Sequence, residues 1–247
     1  MDLPLNTLIS AALIVVLAYT VFGLTGFGAS ITAMPLLAYL FPLRFAVPMM
    51  LIFDVCATLA LGLKNRRAVD RKELLRLIPF MLVGMVLGVT LLVKAPERAL
   101  LFLLGTFVLA YAAWSLLFPR SVKTIATGWA VPLGTAGGVF TALFGTGGPI
   151  YVIYLAGRLH DKSVLRASIG ALIFVSGMAR LVLFSSAGLY AQQSLLRLAA
   201  LLLPGAMLGL YIGSRLHQSL PVQRVVQVVW AILIFGGISL IWRSLRG

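Results

Sequence analysis

The stretch GLTGFGAS, residues 23–30, decides how this chain folds. Three glycines in six positions interrupt apolar sequence that continues on both sides. Backbone that leaves helical geometry inside a bilayer must be buried in protein or line a wet cavity, because its N–H and C=O groups need partners. A break of this kind therefore marks either a packing device or a built site. The surrounding composition settles that a bilayer is the relevant solvent. Of 247 residues, 61% are hydrophobic and 11% charged, against about 25% charged in a soluble domain, and the mean hydropathy is +1.07. The length of the apolar runs predicts helices rather than the short alternating strands of a barrel.

A net charge of +14 raises nucleic acid as a partner. Basic loops on one face of a membrane explain it better, given six acidic residues in the whole chain. Cys56 is the single cysteine, so no intrachain disulfide is expected. The early sequence carries only Asp2 as a charge and lacks a basic n-region, so no cleaved signal peptide is expected.

Six segments are long and apolar enough to span: 45–63, 74–93, 99–118, 167–186, 196–214 and 223–242. Two others, 7–42 and 127–158, each read as a hydrophobic run, a glycine cluster and a short apolar run. The two halves match. Leu24, Gly26 and Gly28 reappear as Leu143, Gly145 and Gly147, 119 residues on. Pro79, Gly84, Gly88 and Pro96 reappear as Pro204, Gly209, Gly213 and Pro221, 125 residues on. Such self-similarity predicts a duplicated chain, residues 1–122 and 123–247, within one membrane domain.

Lysine and arginine counts test the topology. If 7–42 and 127–158 each cross once, the faces carry 11 and 8 basic residues. If each enters, turns at its glycines and returns, they carry 13 and 6, the six being Arg44, Lys94, Arg98, Arg197, Arg243 and Arg246. The positive-inside rule favours the second arrangement. It predicts an all-α polytopic protein of two inverted repeats, each a re-entrant helix pair plus three transmembrane helices. Basic loops 64–76 and 158–166 are then cytoplasmic and both termini outside.

In that arrangement the short helices after the glycine clusters point their N-termini into the membrane, where free N–H groups and the helix dipole favour an anion. Broken helices at matching places in inverted repeats point to a transporter's central site. The candidate substrate-binding residues are Thr25, Gly26, Phe27, Gly28, Ala29 and Ser30 in the first cluster. Gly145, Thr146, Gly147, Gly148 and Pro149 are their counterparts in the second, and Arg180 is the intramembrane cation. Asp54, near the middle of its span, is the candidate proton-coupling residue; the alternative is an ion pair with Arg180. Thr58 and Ser176 could donate as well, although a hydroxyl in a membrane helix more often bonds its own backbone. Gly84, Gly88, Gly205, Gly209 and Gly213 read as helix-packing positions.

The remaining polar residues read as structural. His160 and His217 fall in loops or at helix ends with no metal-ligand spacing, and no metal or other cofactor is expected. Trp114, Trp129, Trp230 and Trp242 suit interfacial anchoring. Asp70, Glu73, Glu97 and Asp161 read as loop charges beside basic neighbours. No nucleophile–base pair or intramembrane acidic pair supports an enzyme. The rivals to a transporter are an anion channel on the same helices, a membrane enzyme and a non-catalytic subunit. Small-residue stripes permit a homodimer.

The repeated L-x-G-x-G cluster before a short helix, and MPLLAYLFPLRFAV at 34–47, resemble the sulfite exporter TauE/SafE family of membrane permeases. The resemblance runs from about residue 8 to 244. That family usually has three consecutive glycines in the first cluster, where this chain reads Gly26-Phe27-Gly28-Ala29-Ser30; the second cluster is nearer the pattern. The resemblance implies passage of small sulfur-containing anions, such as sulfite or organosulfonates like sulfoacetate, across the bacterial inner membrane. It carries no direction, and a non-sulfur small organic anion is the alternative substrate.

Overall fold

The computed structural model describes residues 4–25, 28–61, 69–117, 124–216 and 222–246. Every regular element among them is helical. In chain order these are α1 (Leu5–Thr25), α2 (Ala29–Leu37), α3 (Leu43–Leu61), α4 (Arg71–Lys94) and α5 (Glu97–Leu117), then α6 (Ala130–Phe144), α7 (Gly148–Ala156), α8 (Lys162–Ser186), α9 (Gln193–Leu216) and α10 (Val222–Arg246). A 3-10 turn, Thr127–Trp129, leads into α6. The six spans expected from the sequence correspond to α3, α4, α5, α8, α9 and α10. Both glycine-broken segments resolve into a longer helix followed by one of nine residues.

The two broken segments differ in one respect. Among the described residues, six helices are long and apolar enough to cross a membrane, and α1 is among them, with Leu5–Leu24 reaching 20 residues. The first break thus follows a span-length helix instead of cutting one short. Its counterpart α6 has 15 residues, about 22 Å at 1.5 Å per residue, too short to cross alone.

Compactness divides the chain differently from the duplication. One body comprises 1–53, 95–119 and 190–247; the other comprises 54–94 and 120–189. Each body draws on both sequence halves. In the first, α1 packs along α9: a Cβ on Gly209 would overlap the Val16 backbone, and one on Gly213 the Thr20 carbonyl. In the second, α4 packs along α6: a Cβ on Gly84 would overlap the Thr135 carbonyl, and one on Gly88 would lie 2.7 Å from that of Val139. In both pairs the contacts advance together along the two helices, so the helices run parallel.

The contacting residues keep the sequence offsets. Gly84 and Gly88 lie 125 residues before Gly209 and Gly213, while Thr135 and Val139 lie 119 after Val16 and Thr20. Four of the glycines read as packing positions therefore bring backbone against backbone, which any side chain would prevent. Gly205 is the exception, since a Cβ there would meet only Val16 Cγ2 at 3.4 Å, an ordinary contact.

Polar contacts tie helix ends together inside each body. In the first, Leu43 N–H donates to Glu97 Oε1 (2.8 Å), Arg44 to the Ala95 carbonyl (2.8 Å) and Arg243 to the Ala38 carbonyl (2.7 Å). In the second, Ile125 N–H donates to the Gly157 carbonyl at 3.0 Å, so α7 ends beside the segment that enters α6. The α6–α7 pair is a closed hairpin. Large apolar side chains such as Leu13, Leu75, Val182 and Phe235 remain exposed, as a lipid-facing surface requires.

The acids read as loop charges have more specific work. Asp161 caps α8, accepting from the Ser163 and Val164 amides. Asp70 accepts from Glu73 N–H at the start of α4, and Glu97 receives the first amide of α3. Glu73 is 5% exposed. Asp161, Asp70 and Glu97 each satisfy helix N–H groups that have no intrahelical partner, a role invisible from charge spacing alone. Trp114, Trp129 and Trp242 are exposed near helix ends, and His160 is exposed in the turn after α7. His217, Pro221 and the basic residues Lys64, Arg66, Arg67, Arg120 and Lys123 lie outside the described residues.

Candidate functional site

The second glycine cluster is where α6 stops and α7 begins. Gly145 adopts φ +71°, a left-handed conformation that suits glycine, and caps α6. The chain reverses, with Thr146 N–H donating to the Phe140 carbonyl (3.3 Å). Gly147 precedes α7, and Pro149 occupies the first turn, where its missing N–H costs nothing. Gly147 has no alternative: a Cβ there would overlap Thr141 Oγ1 and the Gly137 carbonyl. Gly148 differs, because a Cβ on it would meet nothing within 4 Å among the described residues. Open space adjoins the α7 N-terminus.

Two buried polar atoms in this region have no hydrogen-bond partner among the described residues: Thr146 Oγ1 and Arg180 Nε. Their residues are 2% and 4% exposed. Arg180, on α8, reaches back to the C-terminal turn of α6, where Nη1 lies 3.4 Å from the Thr141 carbonyl. Its Nη2 lies 3.5 Å from Asp54 Oδ2 on α3. Both contacts are long for a guanidinium, which carries five N–H donors. An arginine buried to this degree with loose pairing and an orphaned Nε holds donor capacity in reserve for an acceptor.

The neighbouring hydroxyls are already occupied. Thr58 donates to the Asp54 carbonyl (2.7 Å) and Ser176 to the Ile173 carbonyl (2.8 Å), each within its own helix. Thr141 Oγ1 and Tyr151 OH share a hydrogen bond of 3.0 Å across the hairpin. Thr146 is thus set apart from the other hydroxyls near it.

Of the residues expected at the site, Gly145, Thr146, Gly147, Gly148, Pro149, Arg180 and Asp54 fall in one compact body, and the Asp54–Arg180 pair joins α3 to α8. The first cluster belongs to the other body. There Gly28, at φ +99°, precedes α2, Ala29 and Ser30 are buried in its first turn, and Thr32 Oγ1 donates to the Gly28 carbonyl. Gly26, Phe27 and the side chain of Thr25 lie outside the described residues.

Sequence reasoning missed Thr141, Tyr151, Tyr154 and Glu73. The available signal was two tyrosines three apart in the apolar run IYVIYLAG: a buried phenol requires a partner, and theirs are Thr141 and Glu73. At the hairpin's open end Glu73 pairs with Arg76 and Arg158. The hydrogen bond from Arg158 to Glu73 holds that guanidinium above its ordinary pKa.

Three comparisons bear on identity. No solved structure matches the chain. It is 26% identical over 200 residues to the probable inner membrane transporter protein TsaS of Comamonas testosteroni, covering 79% of this chain and 83% of that one. The family described as sulfite exporter TauE/SafE matches residues 11–240. With nearly its whole length matched, the chain belongs to the sulfite exporter TauE/SafE family and is a membrane transporter.

Proposed function

We propose that this transporter moves small sulfur-containing anions, such as sulfite or organosulfonates, by alternating access around the α7 N-terminus. The observation that carries this reading is the pair of orphaned, buried polar atoms, Thr146 Oγ1 and Arg180 Nε, near the open space at Gly148. Helix N-terminal amides and a guanidinium both prefer an oxyanion. Gly147 and Gly148 bring the backbone up to the ligand, Thr146 donates its hydroxyl and Arg180 supplies charge. Asp54, paired with Arg180, is the group that takes up or releases a proton when transport is coupled to a pH gradient.

The membrane topology we propose is the inverted repeat with re-entrant pairs, both termini outside the inner membrane. The helix-end contacts support it. In a single-crossing arrangement Arg158 would sit across the membrane from Ile125, and Arg243 across from Ala38; both are hydrogen-bonded pairs. In the re-entrant arrangement each pair shares a face, and Arg158 and Arg76 stand with the basic side that the positive-inside rule places in the cytoplasm.

Uptake of labelled sulfite into proteoliposomes tests the function, with and without a pH gradient, and with sulfate, thiosulfate and sulfoacetate as competitors. Saturable flux with countertransport supports the carrier; non-saturating flux makes it a channel. No flux of any sulfur anion removes the substrate assignment.

A further inference from the structure

Glu73 lies in the first turn of α4, remote in sequence from the glycine clusters, yet it gathers side-chain donors from three residues. Its Oε2 accepts from Tyr154 OH at 2.7 Å. Its Oε1 accepts from Arg76 at 2.7 Å and from Arg158 at 2.9 and 3.2 Å. Arg158 in turn donates to the Ile125 carbonyl at 3.2 Å. Tyr154 stands in the last turns of α7, Arg158 follows that helix, and Ile125 precedes α6. One carboxylate therefore closes the open end of the hairpin and fastens it to α4.

The opposite end of the same hairpin carries Thr146, Gly147 and Gly148. A nine-residue helix has little intrinsic stability, so its placement depends on what holds its ends. Along its length α7 lies against α6: a Cβ on Gly137 would overlap the Tyr151 ring. Packed against α6, it is one continuous helical piece about 13 Å long at 1.5 Å per residue. A shift where Tyr154 and Arg158 are held moves the N-terminus by a comparable amount. Charge-assisted hydrogen bonds to a buried carboxylate are the strong and directional kind, suited to fixing position.

We propose that Glu73 is a positioning residue for the anion site, clamping α7 through Tyr154 and Arg158 so that Thr146 and Gly148 are presented at the α7 N-terminus. The inference rests on the reading of that N-terminus as the site, and it adds a residue that does not touch the anion.

The test has two independent readouts on purified protein. The first is the rate at which a thiol reagent labels Gly148→Cys in a Cys56→Ser background, which reports the geometry of the α7 N-terminus whatever the substrate. The second is KM against Vmax for labelled sulfite in proteoliposomes. Glu73→Gln keeps the shape and loses the charge; Tyr154→Phe removes one hydrogen bond, leaves both ion pairs, and serves where the first variant does not fold. Expected are an altered labelling rate and a raised KM, each by about threefold or more, with Vmax changed less. Glu97→Gln, which weakens a charged cap in the other body, leaves the labelling rate unaltered. If Glu73→Gln and Tyr154→Phe lower thermal stability alone, with labelling and KM as in the parent, the clamp is only structural and the proposal falls. If labelling shifts but the parent carries no sulfur anion, the clamp stands and the substrate reading falls.

Discussion

The guanidinium of Arg180 on α8 and the carboxylate of Asp54 on α3 approach to 3.5 Å, with 5% and 15% of their side chains exposed. The pair is the charged centre of the candidate site, and its loose geometry separates two ideas that the sequence leaves open. A tight bidentate pair would satisfy both groups; this one leaves Arg180 Nε without a partner.

Removing one member should hurt stability more than removing both. Asp54→Asn strands a buried cation and is expected to cost about 3 kcal/mol, the low end for a broken buried pair. The double variant Asp54→Asn/Arg180→Gln should recover part of that loss in detergent thermal unfolding while remaining inactive. In vesicles, Asp54→Asn should also abolish stimulation by a pH gradient; gradient-dependent flux that survives would remove Asp54 from coupling.

The neighbouring glycines should respond oppositely. Gly148→Val fills open space and should impair transport with little change in unfolding temperature. Gly147→Ala forces overlap with Thr141 Oγ1 and Gly137 and should destabilise, by about 1–3 kcal/mol for overpacking of this kind. Equal thermal losses in both would show that the open space at Gly148 is not part of a site.

The packing stripes should tolerate nothing larger than hydrogen. Gly84→Ala and Gly209→Ala each push a methyl into a facing backbone and should each cost about 1–3 kcal/mol. Gly205→Ala, which meets only Val16 Cγ2, should be close to neutral. Folded yield and thermal midpoint in a mild detergent measure all three.

Because α1 packs on α9 and α4 on α6, neither sequence half holds its own partners. Residues 1–122 or 123–247 expressed alone should fail to accumulate as folded protein. Co-expressed halves should co-purify and regain flux. A half that folds alone would contradict the interleaved packing.

Much of this protein was legible in its sequence. Hydropathy and helix length are local quantities, so the six spans and the two breaks fall within a few residues of their observed helices. Glycine spacing foretold backbone contact at residues 84, 88, 209 and 213, because a stripe of small residues has few other uses in a helix. Thr146 and Arg180 were legible as polar residues in places where polarity is costly. What only the tertiary structure decided is partnership. The offsets of 119 and 125 announce a duplication, yet they do not say that each half lends a helix to the other. That depends on which grooves fit across more than a hundred residues of separation. Glu73, too, had the composition of a loop charge. It became a buried clamp because the fold brings Tyr154 and Arg158 to it, and a carboxylate leaves water only where such donors meet it.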